Sequence, residues 1–273
     1  MLPAVKKRMR ASVSGSGPTS LSFENAPNFR DLGGYEAASG LRVRAGVLFR
    51  SDQLNRLMPA ELDTLSSAGV RMIVDLRRGV ERDAEATPEL PNVQRRVADV
   101  LVDANVDLDG LPEGGWVRVA AGGGADVMCD LYRGLVSLPG AQRAYTALLE
   151  SVLAADGATV FHCTAGQDRT GWAAAVILTA LGVRRDLVIH DYLLSVRRLK
   201  VKHSRLIAED AVRLARHAVT EADLLPLYWV RTEYLDAAFR QVDKQFGSFE
   251  NYLCTALNLD TRLLQMLRTR LLR

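Results

Sequence analysis

The chain has 273 residues, of which 48% are hydrophobic and 25% are charged, so it can bury a full core. Its 35 basic and 32 acidic residues leave a net charge of +3, which is too small to indicate a nucleic-acid partner. Its longest apolar runs, such as residues 173–183, are too short for a membrane span and are typical of a core helix.

Residues 1–20 are predicted to form a flexible N-terminal arm. Basic residues near the start are followed by a Ser- and Gly-rich stretch instead of an apolar segment, which argues against a secretory signal. The three cysteines, Cys129, Cys163 and Cys254, are odd in number and far apart, so they predict no disulfide scaffold and favour a reducing compartment. We therefore expect a cytoplasmic protein, and secretion without a signal peptide stays open.

Residues 21–273 are predicted to form one folded domain. In chain order, the patterns indicate a strand at 41–49, a helix at 59–68, strands at 71–76 and 96–102, an irregular glycine-rich linker at 114–124, helices at 127–136 and 141–153, a strand at 158–161, and helical periodicity from 172 onwards. This alternation predicts an α/β fold, with a central sheet flanked by helices. The helical segment at about 196–245 fits either a lid over a pocket or a layer packed on the sheet.

The junction between strand 158–161 and the following helix is the most informative part of the chain. It reads His-Cys-Thr-Ala-Gly-Gln-Asp-Arg-Thr-Gly from 162 to 171. At such a junction, unpaired backbone N–H groups and the positive end of the helix dipole favour an anion. These groups and Arg169 would favour the thiolate of Cys163, the predicted nucleophile, and Thr170 could donate its hydroxyl to that sulfur. The predicted phosphate-binding residues are Thr164, Ala165, Gly166, Gln167, Asp168 and Arg169.

The order His-Cys-x-x-Gly-x-x-Arg-Thr-Gly resembles the signature of the cysteine-based protein tyrosine phosphatases. The stretches NFRDLGGY (28–35), LFRS (48–51), VDLR (74–77) and DYLLS (191–195) are similar to those of the bacterial atypical branch of this family. The resemblance implies a dual-specificity-phosphatase-like sheet, phosphotyrosine hydrolysis through a phosphocysteine intermediate, and in some members phosphoinositide hydrolysis. This chemistry needs no metal or other cofactor, and the four histidines show no zinc-ligand spacing with the cysteines.

Gln167 stands where that branch usually has a lysine. Such a lysine adds positive charge beside the phosphate and is associated with multiply phosphorylated inositol lipids. Gln167 therefore favours a phosphotyrosine protein or a small phosphomonoester as substrate. A phosphoinositide or inositol phosphate phosphatase is the first alternative, and a phosphate-binding module without turnover is the second. The basic stretches at 196–216 and 262–273 fit either a solvated helix face or a contact with anionic lipid.

The acid that protonates the leaving oxygen has two main candidates. Asp168 lies within the loop itself, where it could instead orient neighbouring side chains, and Asp99 lies where the family places a mobile acid loop. Asp103 is a weaker third candidate. His162 is assigned a structural role, in which it hydrogen-bonds carbonyl groups of the loop, because adjacent side chains of a strand point to opposite faces. Asp191 is expected to brace the helices behind the loop.

Overall fold

The computed structural model describes residues 21–106, 111, 114–215 and 218–273, so the predicted arm at 1–20 lies outside the described residues. One sheet has five strands in the order β1-β2-β5-β3-β4. They are β1 (Arg30–Asp31), β2 (Leu48–Ser51), β3 (Val70–Asp75), β4 (Gln94–Val97) and β5 (Ala158–His162). β1 pairs antiparallel with β2, and the other neighbours in the sheet are parallel. This sheet, flanked by helices, confirms the predicted fold class.

Helices connect and cover these strands. They are α1 (Pro59–Ser67), α2 (Gly79–Ala84), α3 (Gly115–Ala120), α4 (Gly124–Ser137), α5 (Pro139–Ala154), α6 (Asp168–Ala180), α7 (Arg185–Arg198), α8 (Lys200–Leu214), α9 (Glu221–Tyr228), α10 (Thr232–Phe246), α11 (Phe249–Asn251, continued by a π-helical turn at Tyr252–Ala256) and α12 (Thr261–Leu271). Within the described part of the chain, none of them combines the length and the apolar character that a membrane crossing requires.

Three predicted elements differ from the observed ones. The strand expected at 41–49 is confined to Leu48–Ser51, because the preceding residues form isolated bridges, including one between Val43 and Leu272. The strand expected at 96–102 is found at Gln94–Val97. The linker expected at 114–124 contains α3, since Gly114 and Gly122 adopt positive φ angles of 70° and 83° and bound a short helix instead of abolishing it.

Strand β5, in the centre of the sheet, is buried on both faces. On β5, Val160 packs into an apolar cluster with Leu65 of α1, whereas Phe161 faces a larger cluster formed mainly by α4, α5, α6 and α10. A third cluster joins α3, α4, α8 and α9, with Ile207 and Leu224 among its members. Within the segment 196–245, α8 and α9 are therefore held by a small core of their own, whereas α10 belongs to the main core.

The parallel strands bring three chain segments to one edge. Ser51 of β2 and Asp75 of β3 both pair in register with His162, the last residue of β5. Because the carboxyl ends of neighbouring parallel strands meet at one edge, the residues that follow each strand converge there. This edge holds the segments that begin at Asp52, Leu76 and Cys163.

Candidate functional site

The loop between β5 and α6, residues 163–167, is called the anion loop below. Asn28 Nδ2 donates to the carbonyl oxygens of Ala165 and Gly166 at 2.9 and 3.0 Å, and Arg50 Nη2 donates to the Gly166 carbonyl at 2.7 Å. Since the N–H and C=O groups of a trans peptide point in opposite directions, holding these carbonyls outside directs the following N–H groups inward. The N-terminus of α6 adds the positive end of its dipole, so the loop is suited to an anion.

A buried charge cluster supports the anion loop from below. Asp191 on α7 accepts from Arg30 Nε at 2.9 Å and from Arg50 Nη1 at 2.6 Å, and all three side chains are at most 4% exposed. Burial alone would raise the pKa of Asp191, but the two guanidinium groups lower it to about 2. Asp191 therefore does more than brace helices, because through Arg50 it fixes the Gly166 carbonyl of the loop.

The side chain of Arg169 is oriented by Glu81, a residue that the sequence analysis missed. Glu81 on α2 accepts from Arg169 Nη1 at 2.6 Å and Nη2 at 2.8 Å, and it also accepts the hydroxyl of Thr164. Burial would raise the pKa of Glu81, but the ion pair with Arg169 holds it well below its usual range. Its place six residues after the end of β3 was the available signal, since that segment had to approach the anion loop.

Cys163 lies directly after β5 and is only 2% exposed. The ring Nδ1 of His162 lies 3.1 Å from the Cys163 carbonyl oxygen, and burial lowers the pKa of His162, so the imidazole is neutral and fixes the backbone at the cysteine. The predicted bond from Thr170 to the Cys163 sulfur is not formed. Instead, Thr170 Oγ1 is buried and has no hydrogen-bond partner among the described residues, which leaves its donor unused in this structure.

The two predicted acids lie in different surroundings. Asp168 Oδ1 accepts from the Tyr132 hydroxyl at 2.8 Å, and burial raises the pKa of Asp168, opposed by that hydrogen bond and by Arg169. Asp99 accepts from the backbone N–H groups of Gly79 at 3.2 Å and Leu101 at 3.0 Å, where it caps the start of α2. Of these two carboxyl groups, only that of Asp168 lies among the described residues that line the cavity beside the loop.

That cavity has a volume of about 230 Å³ and opens beside Asp168 and Arg169. Its described lining residues are Arg78, Glu81, Leu101, Leu111, Trp116, Met128, Leu131, Asp168, Arg169, Asp210, Arg213, Leu227 and Tyr228. Helices α8 and α9 therefore form part of its wall. Among the described residues, no group of three or more His, Cys, Asp or Glu side chains could hold a metal ion.

Two polar contacts join helices α8 and α9, which together are called the cover, to the loop region. Gln167 is 3% exposed, and its Nε2 donates to the carbonyl oxygen of Tyr228 at 3.2 Å, so this side chain turns towards α9. Lys202 Nζ on α8 donates to Asp52 Oδ2 at 3.1 Å, directly after β2. Gln167 is one of the predicted phosphate-binding residues, and its side chain contacts α9 in this structure.

Comparison with known proteins extends over nearly the whole chain. A model of the tyrosine phosphatase family matches residues 21–273. A Cupriavidus necator protein whose name places it among the tyrosine-protein phosphatases is 34% identical over 260 residues, covering 94% of this chain and 91% of the relative. PtpB of Mycobacterium tuberculosis, named a triple specificity protein phosphatase, is 33% identical over 252 residues, covering 83% of this chain and 90% of PtpB. A Nostoc commune protein named tyrosine-protein phosphatase is 26% identical over 254 residues, covering 86% and 77%.

Proposed function

Because the chain belongs to the tyrosine phosphatase family, we propose that it hydrolyses phosphotyrosine through a phosphocysteine at Cys163 without a metal ion. The observation that carries this proposal is the anion loop itself. Its carbonyl groups are tied outward by Asn28 and Arg50, and Cys163 begins it at the carboxyl edge of the sheet. A nucleophile at that position meets a phosphate held by inward N–H groups and by Arg169.

The reaction has two displacements at phosphorus. In the first, the Cys163 thiolate forms an S–P bond while the bond between phosphorus and the phenolic oxygen breaks, and Asp168 gives its proton to that oxygen. In the second, water attacks phosphorus and passes a proton to the Asp168 carboxylate, and the S–P bond breaks to return the thiolate. The buried Thr170 hydroxyl can donate to the sulfur as its negative charge returns.

Arg169 stabilises the charge on the transferring phosphoryl group. A guanidinium offers two edges, each with two parallel N–H donors. Glu81 takes the edge between Nη1 and Nη2. The second edge, formed by Nε–H and one Nη–H, can then take two phosphate oxygens, and the ion pair holds the guanidinium plane at a fixed angle.

Asp168 is the better candidate for the acid, because it lines the cavity and its raised pKa favours the protonated form that must donate. Asp99 instead caps α2 through Gly79. We expect Asp168→Asn to lower kcat/KM for a phosphotyrosine peptide roughly 100-fold, the usual contribution of a general acid. Asp99→Asn is the matched variant and should cost less than tenfold. The reverse order of these two losses would assign the acid role to Asp99.

The cavity walls favour an aromatic phosphate ester. Trp116, Met128 and Tyr228 line the cavity next to Arg169, so a planar ring attached to a bound phosphate would lie between apolar surfaces. A phosphoinositide, with the protein at an anionic lipid surface, is the second candidate, because Arg78 and Arg213 also line this cavity.

The three cysteines are free thiols, which fits a reducing cytoplasm as the compartment.

We propose residues 21–273 as a single phosphatase domain in which α8 and α9 form the lid. They line the cavity, share an apolar cluster with α3 and α4, and contact the loop region through Gln167 and Lys202. Opening of such a lid would expose this third cluster and the contact of Leu227 with the main core, and would leave the other main-core contacts in place. Faster proteolysis between 200 and 228 than in the rest of residues 21–273, suppressed by vanadate, would support opening; equal protection throughout this domain would contradict it.

The deciding experiment is hydrolysis by the purified protein, in EDTA, of a phosphotyrosine peptide, a phosphoserine peptide and a set of phosphoinositides. Turnover of the phosphotyrosine peptide that is lost in Cys163→Ser, with phosphate binding retained, is the expected result. Preference for the lipids would select the second candidate. Phosphate binding without turnover of any substrate would leave only a binding module.

A further inference from the structure

The carboxyl group of Asp168 is hydrogen-bonded to one buried tyrosine, which is in turn hydrogen-bonded to a second. Tyr132 on α4 donates its hydroxyl proton to Asp168 Oδ1 at 2.8 Å, and the hydroxyl oxygens of Tyr132 and Tyr192 on α7 lie 2.6 Å apart. A tyrosine has a single hydroxyl proton, and that of Tyr132 goes to Asp168. Tyr192 must therefore be the donor to Tyr132. The three residues form a directed chain of hydrogen bonds that ends at Asp168.

The packing of the two rings fixes this chain in place. Tyr132 and Tyr192 are 0% and 1% exposed, and their rings meet edge to face with centroids 6.1 Å apart. The ring of Tyr234 lies 5.9 Å from that of Tyr132. Burial raises the pKa of both hydroxyl groups well above the usual value, so they remain protonated donors across the working pH range.

We propose that Tyr132, supported by Tyr192, is a positioning residue that determines which oxygen of Asp168 carries the catalytic proton. This inference rests on the proposed role of Asp168 as the general acid. Because Oδ1 accepts the Tyr132 proton, the proton of the neutral carboxyl group resides on Oδ2. With Oδ1 anchored on α4, rotation of the carboxyl group is restricted, and Oδ2 is presented to the leaving oxygen in one orientation.

The same hydrogen bond also affects the pKa of Asp168. Burial raises the pKa of Asp168, whereas the Tyr132 donor and Arg169 lower it. The other charged or titratable groups that act on it from packed elements are Arg50 on β2, Tyr145 on α5, Tyr192 on α7 and Tyr234 on α10. All of these remain in Tyr132→Phe. Loss of the donor disfavours the ionised form, so the alkaline limb of the pH profile should move upward.

The test uses two phosphate esters and the full chain. Phenyl phosphate has a poor leaving group that needs the acid, whereas 2,4-dinitrophenyl phosphate releases a stable phenolate that does not. For Tyr132→Phe we expect kcat/KM to fall about tenfold with phenyl phosphate and less than about twofold with the dinitrophenyl ester, since a lost hydrogen bond to a charged group is worth roughly one factor of ten. The alkaline limb should rise by about half a pH unit to one unit. An equal loss on both esters, or no loss on either, would overturn the proposal.

Three further variants separate this inference from the proposed function. Tyr252→Phe removes a different buried hydroxyl, which accepts from Trp172 Nε1 at 3.2 Å, and should show no dependence on the leaving group. Tyr192→Phe should show the Tyr132 pattern more weakly, and it serves as the test if Tyr132→Phe does not fold. In the double variant, adding Tyr132→Phe to Asp168→Asn should cause no further fall in kcat/KM. If Asp168→Asn lowers turnover of both esters equally, the acid assignment fails; if Asp168→Asn discriminates and Tyr132→Phe does not, the positioning role alone fails.

Discussion

Gly166 offers the sharpest test of how the anion loop is built. Its φ angle is +66°, and a Cβ atom there would lie 2.3 Å from the Ser51 carbonyl oxygen and 2.6 Å from the Asp52 backbone nitrogen. Both obstacles are backbone atoms at the end of β2, so neither can move aside as a flexible side chain would. We expect Gly166→Ala to disrupt the loop both through backbone conformation and through overlap with its neighbours.

The two contributions can be separated with Gly69→Ala. Gly69 has a φ angle of +78° but nothing within 4 Å of a built Cβ, so its substitution incurs only the conformational cost. That cost is about 1–2 kcal/mol for an alanine in the left-handed region. At Gly166 the overlap adds about 1–3 kcal/mol, and displacement of the carbonyl from Asn28 and Arg50 adds about 1 kcal/mol more.

The assay is urea unfolding of both variants, combined with kcat/KM for a phosphotyrosine peptide. The free energy of unfolding should fall by about 3–6 kcal/mol in Gly166→Ala and by about 1–2 kcal/mol in Gly69→Ala, which should keep near-normal activity. If the two variants lose the same stability and Gly166→Ala stays active, the close packing of the anion loop on the end of β2 does not determine the shape of the loop.

Two further predictions concern the charges around the loop. The pKa of Asp191 is about 2 in the folded chain against an ordinary 3.8, so its ion pairs contribute on the order of 2 kcal/mol that is present above about pH 4 and is lost as pH falls through 2. Asp191→Asn should therefore be less stable than the wild type at pH 7 and show a flatter decline in acid, measured by urea unfolding between pH 2 and 7; an unchanged slope would contradict this. Glu81→Gln keeps the shape but removes the charge that orients Arg169, and kcat/KM should fall about tenfold. Tighter inhibition by phosphate in Glu81→Gln would instead mean that Glu81 competes with the substrate for Arg169.

The sequence alone predicted Cys163 as the nucleophile and Arg169 as its phosphate-binding partner, because a cysteine, two glycines and an arginine at fixed spacing between a strand and a helix form a local pattern. Glu81 was not predicted, because its partner Arg169 lies 88 residues further along the chain. Glu81 also lies on a helix of only six residues, which begins with glycine and is too short to show helical periodicity. Asp191 was predicted only to brace the helices behind the loop, because its partners are also far away in the sequence. Its partners are fixed by the way β1 and β2 place Arg30 and Arg50, which only the assembled sheet reveals.

The role of Gln167 shows how a residue inside a recognised motif can act on something other than the bound anion. Gln167 was predicted to bind phosphate, yet its side chain donates to the Tyr228 carbonyl at the end of α9. The backbone of residue 167 can serve the anion while its side chain serves the cover, because the two groups leave the Cα atom in different directions. Replacing a lysine by glutamine at this position therefore changes the contact with the cover as well as the charge. We therefore expect the choice between aromatic and inositol phosphates to depend more on the residues that line the cavity, above all Trp116, Arg78 and Arg213, than on the loop.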